Sequence, residues 1–292
     1  MTYRVVAIGE ALWDVFPDER RPGGAPCNVA YHASRLGDHG AIITRVGIDK
    51  DGEELTAFLD ARGVDISCVQ RDRQHPTGTV EVTFADGEPR YRIVEEVAWD
   101  YLEPAENAIE MVQKADAICF GSLMQRSPKS RGVVRELLRE AHGRALVVFD
   151  VNLRPPFVDA GILRDSFKRS NVVKMSASEV KTVSELLEKP KLTNWLLDDV
   201  GVDKVCTTYG KDGAAIATRA EQVSVPGVNV ETDEGDFVGV GDAFIAAMTH
   251  RLVRDADPEA ALAFANRYAA LVATRRGAMP KLSDADIEQI SA

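Results

Sequence analysis

Short apolar runs alternate with amphipathic stretches along most of the chain. Residues 5–8 (Val-Val-Ala-Ile), 41–46, 117–120, 145–151, 171–175 and 204–208 are such runs. They lack the every-other-residue polarity of a strand with one wet face. Each therefore reads as a strand covered on both faces, as in a parallel sheet. Helices fill the intervals. One starts near Pro26, runs to about Leu36 and stops at Gly37. Others are predicted over 52–62, 128–141, 178–187, near 193–198, over 258–274 and over 283–290. Two places break the alternation. Residues 10–16 read as a half-exposed strand ending at Pro17, and residues 79–84 and 90–94 flank Ala85-Asp86-Gly87-Glu88 as a hairpin. A second hairpin is expected over 214–217 and 222–225. The fold class is α/β: a doubly wound, mostly parallel sheet flanked by helices, in a single domain over 1–292. Inserts at about 11–18 and 79–94 would form a small second sheet suited to a lid.

The chemistry centres on residues 235–244, Gly-Asp-Phe-Val-Gly-Val-Gly-Asp-Ala-Phe, followed by an apolar run to Met248. Gly239 and Gly241 allow a tight loop into a buried helix. The free N–H groups of that helix's first turn make an anion site. Asp242 reads either as an N-cap or as a proton acceptor beside a phosphoryl group held by those N–H groups. Phe244 stands where a dinucleotide fingerprint needs its third glycine, which disfavours a nicotinamide dehydrogenase, and no Gly-Lys-Ser/Thr of a Walker A loop follows.

A net charge of −11 with no long basic run argues against nucleic acid as a partner. No apolar run approaches a membrane span and the first residues hold no signal-peptide core, so the expected location is cytoplasmic. Cys27, Cys68, Cys119 and Cys206 are widely spaced among apolar residues and read as buried thiols. The five histidines form no metal-binding arrangement.

Polar residues gather after predicted strands: Asp14; Gly23, Gly24 and Asn28; Asp150, Asn152 and Arg154; Lys174, Ser176 and Glu179; Thr208, Gly210, Lys211 and Gly213. Ligands of doubly wound sheets bind at such ends. Gly23-Gly24-Ala25-x-x-Asn28 and Gly239-x-Gly241-Asp242 resemble the two signatures of the PfkB (ribokinase-like) sugar kinases, and the resemblance covers nearly the whole chain. Gly9-Glu10-Ala11-Leu12-x-Asp14, Val97-Ala98-Trp99-Asp100, Gly121-Ser122-Leu123-x-Gln125-Arg126-Ser127 and Asp150-Val151-Asn152-Leu153-Arg154 resemble fructokinase-like members.

The resemblance implies a kinase moving the ATP γ-phosphate to a primary sugar hydroxyl, most readily fructose to fructose 6-phosphate. Ribose, 2-keto-3-deoxygluconate, or a non-catalytic sugar- or nucleotide-binding role are the alternatives. It implies Asp242 as base, and Gly239, Val240 and Gly241 as an anion hole. Asp14, Gly23, Gly24, Asn28 and Arg154 would meet the sugar. Lys174, Thr208, Gly210, Gly213, Asn266 and Gly277 would meet the nucleotide. Glu179, through water, and Ser176 would organise Mg2+, and a monovalent cation such as K+ would lie beside the loop. The lid offers an edge for a homodimer. Three positions depart from the family pattern: Ser176 replaces Asn, Phe237 replaces Thr and Val240 replaces Ala.

Overall fold

The structure is a computed structural model that describes residues 2–85, 88–141, 143–230, 232 and 235–291. Its strands are β1 (Arg4–Ile8), β2 (Leu12–Val15), β3 (Arg20–Gly23), β4 (His39–Gly47), β5 (Asp65–Asp72), β6 (Gly78–Ala85), β7 (Glu88–Ile93), β8 (Ala117–Gly121), β9 (Leu146–Asp150), β10 (Val172–Ser176), β11 (Lys204–Thr208), β12 (Ala214–Ala217) and β13 (Gln222–Val225). Its helices are α1 (Ala25–Arg35), α2 (Lys50–Asp60), α3 (Glu106–Gln113), α4 (Pro128–Glu140), α5 (Ala160–Phe167), α6 (Ala177–Leu187), α7 (Leu192–Trp195), α8 (Val240–Leu252), α9 (Pro258–Ala273) and α10 (Asp284–Ser291).

The large sheet runs β13-β12-β11-β10-β9-β8-β1-β4-β5 and is parallel from β11 to β5, with the β12–β13 hairpin antiparallel at one edge. Alternate residues of each central strand enter different cores. Val5 and Ala7 pack with α1, α8 and α9, while Val6 and Ile8 pack with α3, α4 and α5. Burial on both faces is why these strands read as unbroken apolar runs. Strand order reverses between β1 and β8, so a crevice opens there at the carboxyl ends.

The second sheet, β3-β2-β6-β7, stands over those ends. It takes up both inserts and adds β3, which lies beyond the expected insert of about 11–18. Pro22 fits there because an edge-strand residue needs no ladder donor. The tip of the β6–β7 hairpin, residues 86 and 87, lies outside the described residues. Strand β5 and helices α3 and α5 were not foreseen; β5 (Asp-Ile-Ser-Cys-Val-Gln-Arg-Asp) is polar because it is the far edge of the sheet. Helix α2 starts at Lys50 rather than Gly52, because the Asp49 carboxylate caps it by accepting from Gly52 N–H at 2.7 Å. All four cysteines are buried and unbridged. Among the described residues no helix is long and apolar enough to cross a membrane.

Candidate active site

The first turn of α8 is the focus. Gly239 caps it at φ 73°, and a Cβ there would fall 2.5 Å from Ala278 Cβ, so backbone freedom and close packing both require glycine. The first helical bond runs from Ala243 N–H to the Gly239 carbonyl at 2.9 Å. The N–H groups of Val240, Gly241 and Asp242 precede it and have no intrahelical acceptor. Asp242 is therefore the third residue of the helix, not its cap. The Val240 side chain packs against the core, so its bulk is kept off the N–H side. Beyond this turn α8 is buried all round, between α1 and α9.

Asn28 Nδ2 donates to Asp242 Oδ2 at 2.7 Å, joining α1 to α8. Burial pushes the Asp242 carboxyl up to about 7; the Asn28 bond opposes this, the Asp150 charge adds to it, and Lys174 and Arg154 oppose it. Helix-dipole stabilisation of a carboxylate at this turn is outweighed by lost hydration. A group poised near neutrality suits a general base.

A cavity of about 690 Å³ lies between the strand ends and the second sheet. Asp14, Gly24, Asn28, Arg154, Gly239 and Asp242 line it, with Phe16, Val80 and Phe157 as apolar walls. Asp14 is pushed up to about 6 by burial, against the pull of Arg154 and Arg21. Gly23 is opposite Leu12 in the β2–β3 ladder, and a Cβ there would fall 2.5 Å from Asp14 Oδ2. Gly24 turns the chain into α1 at φ 103°, where a Cβ would strike the Glu10 carbonyl at 2.4 Å.

The remaining expected residues lie on the other side of the α8 turn. Lys174 is buried and pairs with Asp150 at 3.2 Å. Burial opposes its charge, yet Asp150, Glu179 and Asp242 hold its pKa above the ordinary lysine value. Its Nζ is 3.8 Å from where a Gly241 Cβ would stand, placing a cation under the first turn of α8. Ser176 and Glu179 form a capping box on α6. Glu179 Oε2 accepts from Ser176 N–H at 2.7 Å and from its hydroxyl at 2.9 Å, while Oε1 accepts from Leu153 N–H at 2.8 Å. Thr208 ends β11, and Gly210 and Gly213, at φ 62° and 103°, make the turn into β12. Asn266 on α9 donates to the Val225 and Pro226 carbonyls at 3.4 and 3.0 Å. Gly277 sits beside the loop, its N–H donating to Asp236 Oδ2 at 3.1 Å.

Four groups escaped the sequence reading as site residues. Glu10, at the end of β1, lines the cavity with Asp242. Arg21 on β3 donates to Asp236 at 3.1 Å, and Arg276 to Glu19 at 2.8 Å, so crossed ion pairs tie the second sheet to the anion-binding loop. Arg126 is buried, bidentate to Asp100 at 2.8 Å, and donates to the Val94 carbonyl at 2.7 Å just past β7. The stretches at 97–100 and 121–127 thus anchor the second sheet's return, with Leu123 alone of them lining the cavity. His32 bridges Tyr268 and the Ala278 carbonyl at 2.9 Å each, bracing the segment behind Gly239; burial pushes its pKa down to about 3 and keeps it neutral. Only pairing across more than 200 residues reveals His32 and Arg21, and one sequence carries no signal of that.

A doubly wound sheet, a second sheet over its crevice and a carboxylate on an anion-binding helix turn define a phosphotransferase acting on an alcohol. The model of the pfkB family carbohydrate kinases matches residues 4–285, and the chain belongs to that family. Fructokinase-1 of Oryza sativa subsp. japonica is 30% identical over 307 residues, spanning 95% of this chain and 94% of the relative. The fructokinase of Xylella fastidiosa with bound ATP superposes at a TM-score of 0.88 with 25% identity, covering 100% of both chains. An uncharacterized sugar kinase of Pyrococcus horikoshii in complex with ATP matches at 0.84 with 27% identity, over 98% of this chain and 99% of that one.

Proposed function

We propose that this sugar kinase transfers the ATP γ-phosphoryl group to the 6-hydroxyl of fructose, with Asp242 as general base. The observation that carries the reading is the Asn28–Asp242 pair, which sets the carboxylate beside the free N–H groups of α8 inside a sugar-sized cavity. The acceptor hydroxyl gives its proton to Asp242 as its oxygen bonds to the γ-phosphorus and the bond to the ADP oxygen breaks. The N–H groups of Gly239, Val240 and Gly241 hold the phosphoryl oxygens, and Lys174 beneath them offsets the charge. Arg154 adds a planar donor from the opposite wall. Asp14, Asn28 and the backbone of Gly23 and Gly24 take the sugar hydroxyls. The rim at Thr208, Gly210, Gly213 and Asn266 takes the nucleotide.

Magnesium fits this arrangement. An ion held mainly by phosphates and waters needs few protein ligands. Glu179 has one of its lone-pair positions left for such a water, while the Ser176 hydroxyl is taken up in the capping box. The ion supplies charge neutralisation on the phosphates. The reading keeps a monovalent cation such as K+ beside the loop, where Asp236 pairs with Arg21. The reading includes a cytoplasmic location and lid closure by the second sheet. Its exposed Val15 and Tyr91 support lid-to-lid homodimers, which sedimentation velocity tests.

Coupled ADP release with a sugar panel tests the substrate. Fructose should exceed ribose and 2-keto-3-deoxygluconate by ~10²-fold or more in kcat/KM, because buried polar groups left unpaired penalise the wrong sugar. Better use of either rival overturns fructose and leaves the kinase standing. No sugar-dependent ADP release at all would favour a binding protein.

A further inference from the structure

Glu10 is placed where the strand order reverses, at the carboxyl end of β1. Its residue is 5% exposed, and Oε2 is buried with no hydrogen-bond partner. On one side it lines the sugar cavity with Asp242 and Asn28. On the other it lines a small cavity of about 20 Å³, shared with Gly121, Ser122, Asp150 and Asn152. Ala25, Pro26, Val29, Phe120 and Ile245 make most of its wall, and its size is that of one water. A buried carboxyl with an unspent oxygen, between a water-sized space and the proposed base, is costly unless it has work there.

Resting on the kinase reading above, we propose that Glu10 is a positioning residue of the transfer step, coupled through the pocket floor to Asp242 so that the two carboxyls take up protons as a pair. Its charge sets the field in which Asp242 accepts the hydroxyl proton. The charged and titratable groups around the pair are Asp150 on β9, Arg154 beyond it, Lys174 on β10, Asp14 on β2, Cys27 on α1 and Glu179 on α6. Burial pushes Glu10 itself up to about 7; its own N–H, Arg154 and the Ala25 N–H oppose the rise and the Asp242 charge adds to it.

The test is the pH profile of kcat at saturating ATP and fructose. Glu10→Gln keeps shape and removes charge. Its acid limb should move down by about one pH unit, the scale for two carboxylates interacting in a solvent-poor pocket. Glu10→Asp should keep the limb near that of the wild type at a lower rate. An unmoved limb in Glu10→Gln, whatever its rate, overturns the coupling. Should Glu10→Gln not fold, infrared titration of 13C-glutamate-labelled protein decides instead. The neutral-range glutamate carboxyl band of the wild type should titrate at lower pH in Asp242→Asn, and an unshifted band overturns the proposal. An active Asp242→Asn would refute the base assignment without touching the infrared result. An inactive Asp242→Asn with an unmoved Glu10→Gln limb refutes only the role of Glu10.

Discussion

Asp242→Asn separates the chemistry of this site from its electrostatic cost. The amide keeps the volume and, turned over, still meets Asn28, but it neither takes a proton nor carries charge. Turnover should fall by ~10²-fold or more, the scale of a lost general base. The same change should stabilise the fold. The Asp242 pKa rises from the ordinary 3.8 to about 7 on folding. Below the lower value both states hold the proton and the residue costs nothing. Between the two values the unfolded chain is ionised while the folded one is protonated, so stability falls as pH rises. Above the folded value the cost is constant. At ~1.4 kcal/mol per pKa unit, the shift from 3.8 to about 7 sets an upper limit near ~4 kcal/mol. The variant should therefore gain about 2–4 kcal/mol at pH 8 and clearly less at pH 5. At roughly 2 °C per kcal/mol for a chain of this size, Tm at pH 8 rises by several degrees. Urea denaturation at pH 5, 6.5 and 8 measures the difference. An equal gain at all three, or a loss at pH 8, would refute the burial argument.

If the second sheet closes over the sugar, amide exchange in β6 and β7 should slow when fructose is added, and unchanged exchange at saturating sugar would rule out closure. Arg21→Gln cuts the tie to Asp236; we expect a several-fold rise in the sugar KM with a stability change under ~1 kcal/mol, since the pair is partly exposed. Unchanged KM would leave that ion pair without a part in closure. Glu179→Gln should raise the free magnesium needed for half-maximal kcat and cost about 1 kcal/mol through the α6 cap. Ser176→Asn should lower the magnesium requirement without changing the sugar KM. Superimposable magnesium curves for wild type and both variants would remove this motif from the metal side.

What the sequence revealed and what it hid divide along physical lines. Strands β1, β8, β9, β10 and β11 were legible because burial on both faces leaves mostly apolar central residues, with Lys174 of β10 the charged exception, and that pattern survives without neighbours. β5 was hidden because an edge strand alternates with solvent and carries charges that look like loop. The turn at Gly239 to Asp242 was legible because it is built from local features only: a left-handed glycine, free N–H groups and a carboxylate in the first turn. Its electrostatic setting was not, since Asp150, Lys174 and Asn28 arrive from three other elements. Residues 97–100 and 121–127 show a further distinction. They resemble fructokinase-like proteins, yet the structure spends them on the Asp100–Arg126 knot that anchors the second sheet, with Leu123 alone reaching the cavity. In this chain those residues hold the second sheet in place. Sugar choice has to be argued instead from the carboxylates that face the cavity. Asp14, Glu10 and Asp242 are all pushed up by burial, and of their oxygens Glu10 Oε2 is buried without a partner while Asp242 already accepts from Asn28, so a bound sugar hydroxyl would find its strongest acceptors in Glu10 and Asp14.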